Sequence, residues 1–512
     1  MRRSWTLPAS LILLVVCASA ASAQTPDSTV PPPTVTLSLA QALSEAKTSS
    51  PEYRQVLNNE GPAKWALRNA YGQLLPGADL SGGGGYTGTG QANLGQGFTQ
   101  QTSAFVQSYW QARLTYQLDG SRLIAPGQQK ANLNATNEEI NNEEVTLKFN
   151  ITNQYLIAAA SAAQVDVSRQ QVGRNQSFLE LAQARYKVGQ GTLIEVRQAE
   201  VQKGTADVQL LRDQQAENEA KLELFRQMGV VPPVEVQQIA LTDSFPVTEP
   251  TFVLDDLLKM AEEENPALRS LRYRADAASA GVGIAKSAYF PSLFASAVWG
   301  GFTNQQTDEG LLLQQATLGA KGQAQSCIFE DSVRSALSFP GVIGSTGCNQ
   351  LAGLNSSGTA LSPTAHDRIV NANATFPFHF IKNPFQLQVG LSLPIFTGFG
   401  RSLQYSQARA FEDDADENVR AAALRIRTEV NTRYLALNAA YQAIGVQAQS
   451  RDAARDQLRL AQDRYRLGSG SSLEVTDAQN AVQRAEGDYI AATYAYHRAV
   501  AILEAAVGRP LR

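Results

Sequence analysis

Histidine occurs only three times in these 512 residues, at His366, His379 and His497, too far apart for metal-ligand spacing. No H-E-x-x-H, G-x-S-x-G or G-K-[ST] is present, so zinc-protease, nucleophile-elbow and P-loop chemistry have no carrier. A basic excess is missing too. Lys and Arg number 43 against 47 Asp and Glu, which argues against a nucleic-acid partner. No run of 18 apolar residues exists, which excludes a membrane-spanning helix but not membrane-spanning strands. Proline is absent from 127–231 and from 395–509, leaving two long stretches without a helix breaker. The sequence "GGGGYTGTG" at 82–90 contains G-x-G-x-x-G at Gly83, Gly85 and Gly88, but Gly, Gln, Asn and Thr follow instead of a helical pattern. It reads as a loop or strand end, not a dinucleotide site. The acidic run "FEDDADE" at 411–417 reads as a solvated helix start. The expectation is a protein that is not an enzyme, with no catalytic, cofactor-binding or metal residues.

Cysteine is nearly absent as well, with three in all. The first, Cys17, belongs to a segment that carries Arg2 and Arg3, an apolar run from Leu7 to Val16, and then small residues ending "ASA". This is the pattern of a secretory signal peptide over 1–23, cleaved after Ala23. Val15 and Val16 before Cys17 make a poor lipobox, so the reading is plain cleavage without lipidation. Loss of Arg2 and Arg3 takes the formal charge from -4 to -6. Export leaves Cys327 and Cys348, and an oxidising compartment favours a disulfide between them over two free thiols.

What is abundant is internal repetition. "LAQARYKVGQGTLIEVRQAE" at 181–200 returns at 460–479 as "LAQDRYRLGSGSSLEVTDAQ", identical at ten of twenty positions. The same 279-residue offset pairs Ile140 with Val419, Leu147 with Ile426, Ile151 with Val430, Tyr155 with Tyr434, Val165 with Ile444 and Gly229 with Gly508. A second offset, 215, relates 37–56 to 252–271 and sets Pro51 on Pro266, Ala70 on Ala285 and Pro76 on Pro291. The offsets differ by 64 residues, so the chain reads as a tandem duplication with an insertion in its second copy. Beyond the leader and a linker at 24–36, the first repeat spans 37–230. A linker at 231–250 leads to the second repeat, 251–512.

Apolar residues at 419, 423, 426, 430, 437, 441, 444 and 448 step mostly by three and four, as along a helix seam. A helix over about 131–188 would be roughly 87 Å long, a length suited to coiled coils and tubes. Both long runs break at the repeated motif, where Gly189 and Gly191, like Gly468 and Gly470, are expected to supply left-handed positions. The motif is therefore a hairpin tip made twice, near 186–195 and 465–474. Elsewhere the period changes to two. "WQARLTYQL" at 110–118 and "FQLQVGLSLPI" at 385–395 alternate apolar and polar residues. Strands are expected at about 77–90, 104–118, 291–302 and 376–396, with an external insertion at about 303–375. Four strands cannot close a barrel, so membrane-spanning strands would require several chains.

The leader, the duplication, two strands per copy and "RYxxGxGxxxEV" breaking long helices together resemble the TolC family of outer-membrane efflux proteins. The resemblance covers roughly 37–510. It implies a mixed α and β fold: a homotrimer whose twelve strands form an outer-membrane β-barrel, continuous with a long periplasmic α-helical barrel. It further implies partners, namely outer-membrane lipid, a periplasmic adaptor protein and an inner-membrane transporter, and no cofactor or nucleic acid. The family's closing hydrogen bond falls on Tyr465 and Glu195, and its acidic pore rings fall on Glu474 and Asp477. An arginine of the family's second-copy turn is replaced here by Gly470. The adaptor is expected on the tips, at Arg185, Tyr186, Gly189 and Gly191 and at Arg464, Gly468, Ser469 and Gly470. The competing readings are a periplasmic adaptor, which would be neither duplicated nor stranded, and a structural coiled-coil protein, which would not explain the strands. Multidrug export, metal export and protein secretion all fit the duct.

Overall fold

The computed structural model describes residues 35–93, 99–337 and 339–511. The expected leader (1–23), with Cys17, and most of the linker at 24–36 lie outside them. The fold is mixed α and β. Strand β1 (Val35–Leu37) leads into α1 (Leu39–Ser49), α2 (Pro51–Leu57) and α3 (Glu60–Gly72), then β2 (Gly77–Thr87). A small antiparallel hairpin, β3 (Gly90–Asn93) and β4 (Thr99–Thr102), precedes β5 (Phe105–Leu118). The long helices α4 (Gly120–Lys187) and α5 (Leu193–Met228) complete the first half. β6 (Ile239–Leu241) pairs in parallel with β1. The second half repeats the order: α6 (Leu254–Glu264), α7 (Pro266–Ser287) and β7 (Ser292–Gln306). It continues through α8 (Glu309–Ala336), α9 (Gly344–Leu351), α10 (Pro363–Asn373), β8 (Ile381–Lys382) and β9 (Gln386–Ser392) to α11 (Gly400–Arg466) and α12 (Ser472–Val507).

The 68 residues of α4 and 67 of α11 each make about 100 Å of helix at 1.5 Å per residue. α4 begins well before the expected start near 131, because Pro126 does not stop it. The proline sits in the second turn, where it removes a single bond to the Arg122 carbonyl. Asp119 caps the start by accepting from the Arg122 backbone amide at 3.0 Å. At the far ends of α5 and α12, Gly229 and Gly508 terminate the helices in left-handed conformation. A Cβ on either would come within 2.8 Å of Pro51 or Pro266 respectively, so each hairpin returns onto its own half by the same close approach.

The shafts form a layer in the order α5, α4, α12, α11. Near the sheet, α7 lies against α4 and α11. One core gathers Leu257, Leu268, Val430, Leu437, Tyr496 and Leu503 in the second half; another gathers Ala42, Ile151, Tyr155, Leu224 and Met228 in the first.

β2, β5, β7 and β9 follow one another antiparallel in a single sheet, with β8 beside β9 on β7. The register stacks Ala112 on Trp299, Leu114 on Ala297, Ala297 on Leu387 and Ala295 on Val389. One face is thus apolar across the strands, and Leu80, Leu114, Trp299, Leu387, Val389 and Leu391 on it are exposed. Gln111, Arg113, Thr115, Gln386 and Gln388 take the other face. Among the described residues, β2 and β9 each keep one unpaired edge. The strand expected over 376–396 is broken instead. Pro384, which has no amide to donate, separates β8 from β9, and β9 stops two residues before Pro394. The insertion is largely helical, although its Gly, Ser, Asn and Gln content reads as loop. Asp308 caps α8, and buried Asp331 accepts from the amides of Ile343 (3.2 Å) and Gly344 (2.7 Å) at the start of α9.

Candidate functional site: the paired hairpin tips

Both turns are built alike. Gly189 (φ 78°) and Gly468 (φ 77°) adopt the left-handed conformation that stops α4 and α11. Gln190 N donates to the Arg185 carbonyl and Ser469 N to the Arg464 carbonyl, each at 2.9 Å. Thr192 and Ser471 start the return helices by accepting from the amides of Glu195 (3.3 Å) and Glu474 (3.2 Å). Gly191 and Gly470 correct the expectation set for them, since neither has positive φ. They are glycine for space. A Cβ on Gly191 would lie 3.1 Å from Glu195 Oε2, and one on Gly470 would lie 3.0 Å from Arg464 Cβ and Tyr465 N.

The tips differ at their tyrosines. Tyr465 is 2% exposed and Tyr186, its counterpart, 47%. The Tyr465 ring lies 5.4 Å from that of Phe178, and its hydroxyl donates to Glu195 Oε2 at 3.2 Å. Arg185 donates to the Tyr465 carbonyl and to that of Gln190 (3.1 Å), with its guanidinium 4.5 Å from the Tyr465 ring centroid. Burial pushes the Tyr465 hydroxyl above the ordinary tyrosine pKa, the Glu195 carboxylate adds to that, and Arg185 opposes it. The phenol is therefore a neutral donor at physiological pH.

Arg464 turns to Glu474 at 3.4 Å and to the Ser469 carbonyl at 3.4 Å. The Arg464–Glu474 pair is solvent-exposed, so it contributes at most about 1 kcal/mol. Asp477 is exposed one turn further along α12. Its first-half counterpart, Gln198, accepts from the Ser472 hydroxyl at 3.2 Å. Thus Tyr465, Glu195 and Arg185 meet, whereas Glu474 and Asp477 share only a helix face. Beneath them lies a small-residue core of Ala182, Val196, Ala199, Ala461, Val475 and Ala478. The repeat does not point to Phe178, because its counterpart is Gln457.

Cys327 of α8 and Cys348 of α9 form a disulfide in the insertion, Cα–Cα 5.6 Å, away from the tips. Among the described residues, no three His, Cys, Asp or Glu side chains cluster to hold a metal, and no helix is long and apolar enough to cross a membrane.

Residues 335–509, which hold α11, the second tip and α12, match the sequence model of the outer membrane efflux proteins. That stretch is an outer membrane efflux protein domain. The chain's fold is also that of solved outer-membrane proteins along nearly the whole length. VceC of Vibrio cholerae superposes with a TM-score of 0.66 at 17% identity, covering 93% of this chain and 97% of that one. The CmeC outer membrane channel of Campylobacter jejuni gives 0.66 at 13% identity, covering 92% and 85%. The fusaric acid resistance protein FusA of Burkholderia cepacia is 26% identical over 193 residues. That match spans 37% of this chain and 36% of FusA.

Proposed function

We propose that the chain is the outer-membrane duct of a tripartite export machine. Three copies would each give β2, β5, β7 and β9 to a twelve-stranded barrel, and their helices would form one tube through the periplasm. The observation that carries this is the sheet: one face apolar and exposed, the other mainly polar, both edges open among the described residues, joined directly to helices about 100 Å long. The apolar face suits lipid, the polar face suits a water-filled lumen, and the open edges call for neighbours.

At the far end, the Tyr465–Glu195 hydrogen bond would hold the second hairpin against the first and narrow the tube. Glu474 and Asp477, three residues apart on one face of α12, would each form a ring of three carboxylates there. Like charges in a ring favour cations, which relieve their repulsion. The two turns would receive a periplasmic adaptor that links the duct to an inner-membrane pump. The insertion with its disulfide would face the exterior, because the helices leave the sheet on the periplasmic side. FusA bears the name of fusaric acid resistance, so fusaric acid is the first compound to test for export.

Native mass measurement of the detergent-solubilised protein, with membrane fractionation, tests the reading. Trimers from the outer membrane that conduct ions in planar bilayers are expected. A folded monomer, or a particle confined to the periplasm, overturns it.

A further inference from the structure

Where the insertion returns to the sheet, residues 376–382 cross the strands as a strap before the chain enters β9. We infer that this strap binds a phosphate-bearing lipid of the outer leaflet, with the phosphate on Lys382 and the acyl chains against Phe376 and Phe378. The inference rests on the proposed placement of the sheet in the outer membrane and adds a lipid site to it.

The strap is fixed to three strands. The Ser108 hydroxyl of β5 donates to the Pro377 carbonyl at 2.6 Å, and Gln305 of β7 accepts from the Phe376 amide at 3.0 Å. The Phe380 ring stands edge-on to Trp110 at 6.5 Å, and Trp110 stands edge-on to Trp299 at 6.0 Å. A Cβ on Gly301 would lie 3.0 Å from both Phe380 Cβ and the Ile381 carbonyl, so glycine admits the strap. Phe376 reaches over Gly84 of β2. Beneath the strap Ser108 and Thr303 are buried, their hydroxyls 2.8 Å apart. Two polar groups on the outward wall are thereby hidden.

Register gives the strap its face and height. Trp110 and Lys382 both pair with Gly301, one from each side, so their side chains share a face. Trp110 lies two residues from Ala112, so that face is the apolar one. A membrane strand takes about 9–11 residues. Counted from Ser292 at the helix side, Gly301 is the tenth residue of β7. Lys382 therefore sits where hydrocarbon gives way to headgroups, beside a tryptophan, as in an aromatic girdle.

Charge and shape then select the occupant. Lys382 and His379 are the only ionisable side chains from 369 to 400, and the strand ends at 82–87, 105–111 and 299–306 hold no Asp or Glu. Among the described residues Lys382 makes no ion pair. A lone cation on this wall is costly in hydrocarbon and favourable against a phosphate at its edge. Phe378 is 79% exposed, and Phe376 and Tyr86 are exposed as well. Rings held outward at this level are covered by acyl chains. A free anion would answer Lys382 but leave the rings bare, so the site takes a lipid.

The test adds lipid A, with its phosphates intact or removed, to the full-length protein in detergent. Native mass then counts the lipids that stay on the trimer. The wild type should bind the phosphorylated form about fivefold more tightly, and Lys382→Gln should abolish that preference. Phe378→Asp should weaken both forms about tenfold. Lys130→Glu, at an exposed position on α4, should match the wild type. Variant trimers that bind both forms as the wild type does overturn the site while the duct reading stands. A phosphate preference that survives Lys382→Gln overturns the lysine contact. Displacement of the lipid by equimolar inorganic phosphate overturns lipid as the occupant. Folded monomers overturn the duct reading and the site with it.

Discussion

At the scale of single residues, the tip separates two uses of glycine that a sequence motif merges. Gly189 and Gly468 are left-handed, so alanine there is strained by about 1–2 kcal/mol. Gly191 and Gly470 are crowded instead, so alanine there presses on the Arg185 and Arg464 stems, at about 1–3 kcal/mol. Bulky residues at Gly191 or Gly470 would thus unmake the turn before they could report on docking. The better docking probes are Val188 and Leu467, counterparts that are both exposed at the tips. Val188→Asp with Leu467→Asp is expected to abolish export while trimers still reach the outer membrane; surviving export would move the adaptor elsewhere. Tyr465→Phe should remove one hydrogen bond to a carboxylate, about 1.5–3 kcal/mol, and raise resting conductance in planar bilayers. Because the Tyr465 pKa is raised, its contribution is complete below the ordinary tyrosine value of 10.0 and lost as pH rises through the higher folded value. Conductance of the wild type should therefore climb only above about pH 10, and the Phe variant should lack that step.

Among elements, what the sequence makes legible is whatever repeats or alternates. "WQARLTYQL" lies inside β5, and Val419, Ile426, Val430 and Ile444 lie along the packed side of α11. The alternating stretch at 385–395 carries β9 only as far as Ser392, since alternation ignores the prolines that flank it. Helix α4 begins eleven residues before the expected 131, because an early proline costs one hydrogen bond and leaves 61 further residues to hold the helix. The insertion hides its helices behind a polar, glycine-bearing composition, and its order comes from long-range links: the Asp331 cap and the disulfide. The tip was legible in Tyr465 and Glu195, which the motif marks, but not in Phe178, which only the packing brings to the tyrosine. With a sequence separation of 21 between the cysteines, the bridge should contribute roughly 3 kcal/mol to the insertion. Cys327→Ser with Cys348→Ser is expected to open α8–α10 to external protease on intact cells without changing trimer mass or export. An unchanged digestion pattern would show the bridge to be dispensable.

On the scale of the whole molecule, the sheet stops at two edges and the helix layer at two flanks among the described residues. In the proposed assembly neighbouring copies would pair those edges and cover those flanks, while the apolar sheet face would stay turned to lipid. Leu435 and Val446 are exposed on α11, which forms one flank. Leu435→Arg with Val446→Arg is expected to shift the solubilised protein from trimer to monomer, read by native mass; a trimer that tolerates both charges would put the contact between copies elsewhere. Those open flanks also bear on inheritance. In the proposed ring every copy is a neighbour to two others, so one defective chain spoils every duct that it enters. When a mutant with intact flanks but a blocked tip is expressed beside the normal gene, the working ducts fall as the cube of the normal fraction. Such an allele should be dominant, whereas an allele that ruins the flanks should be silent, because its product never joins a ring.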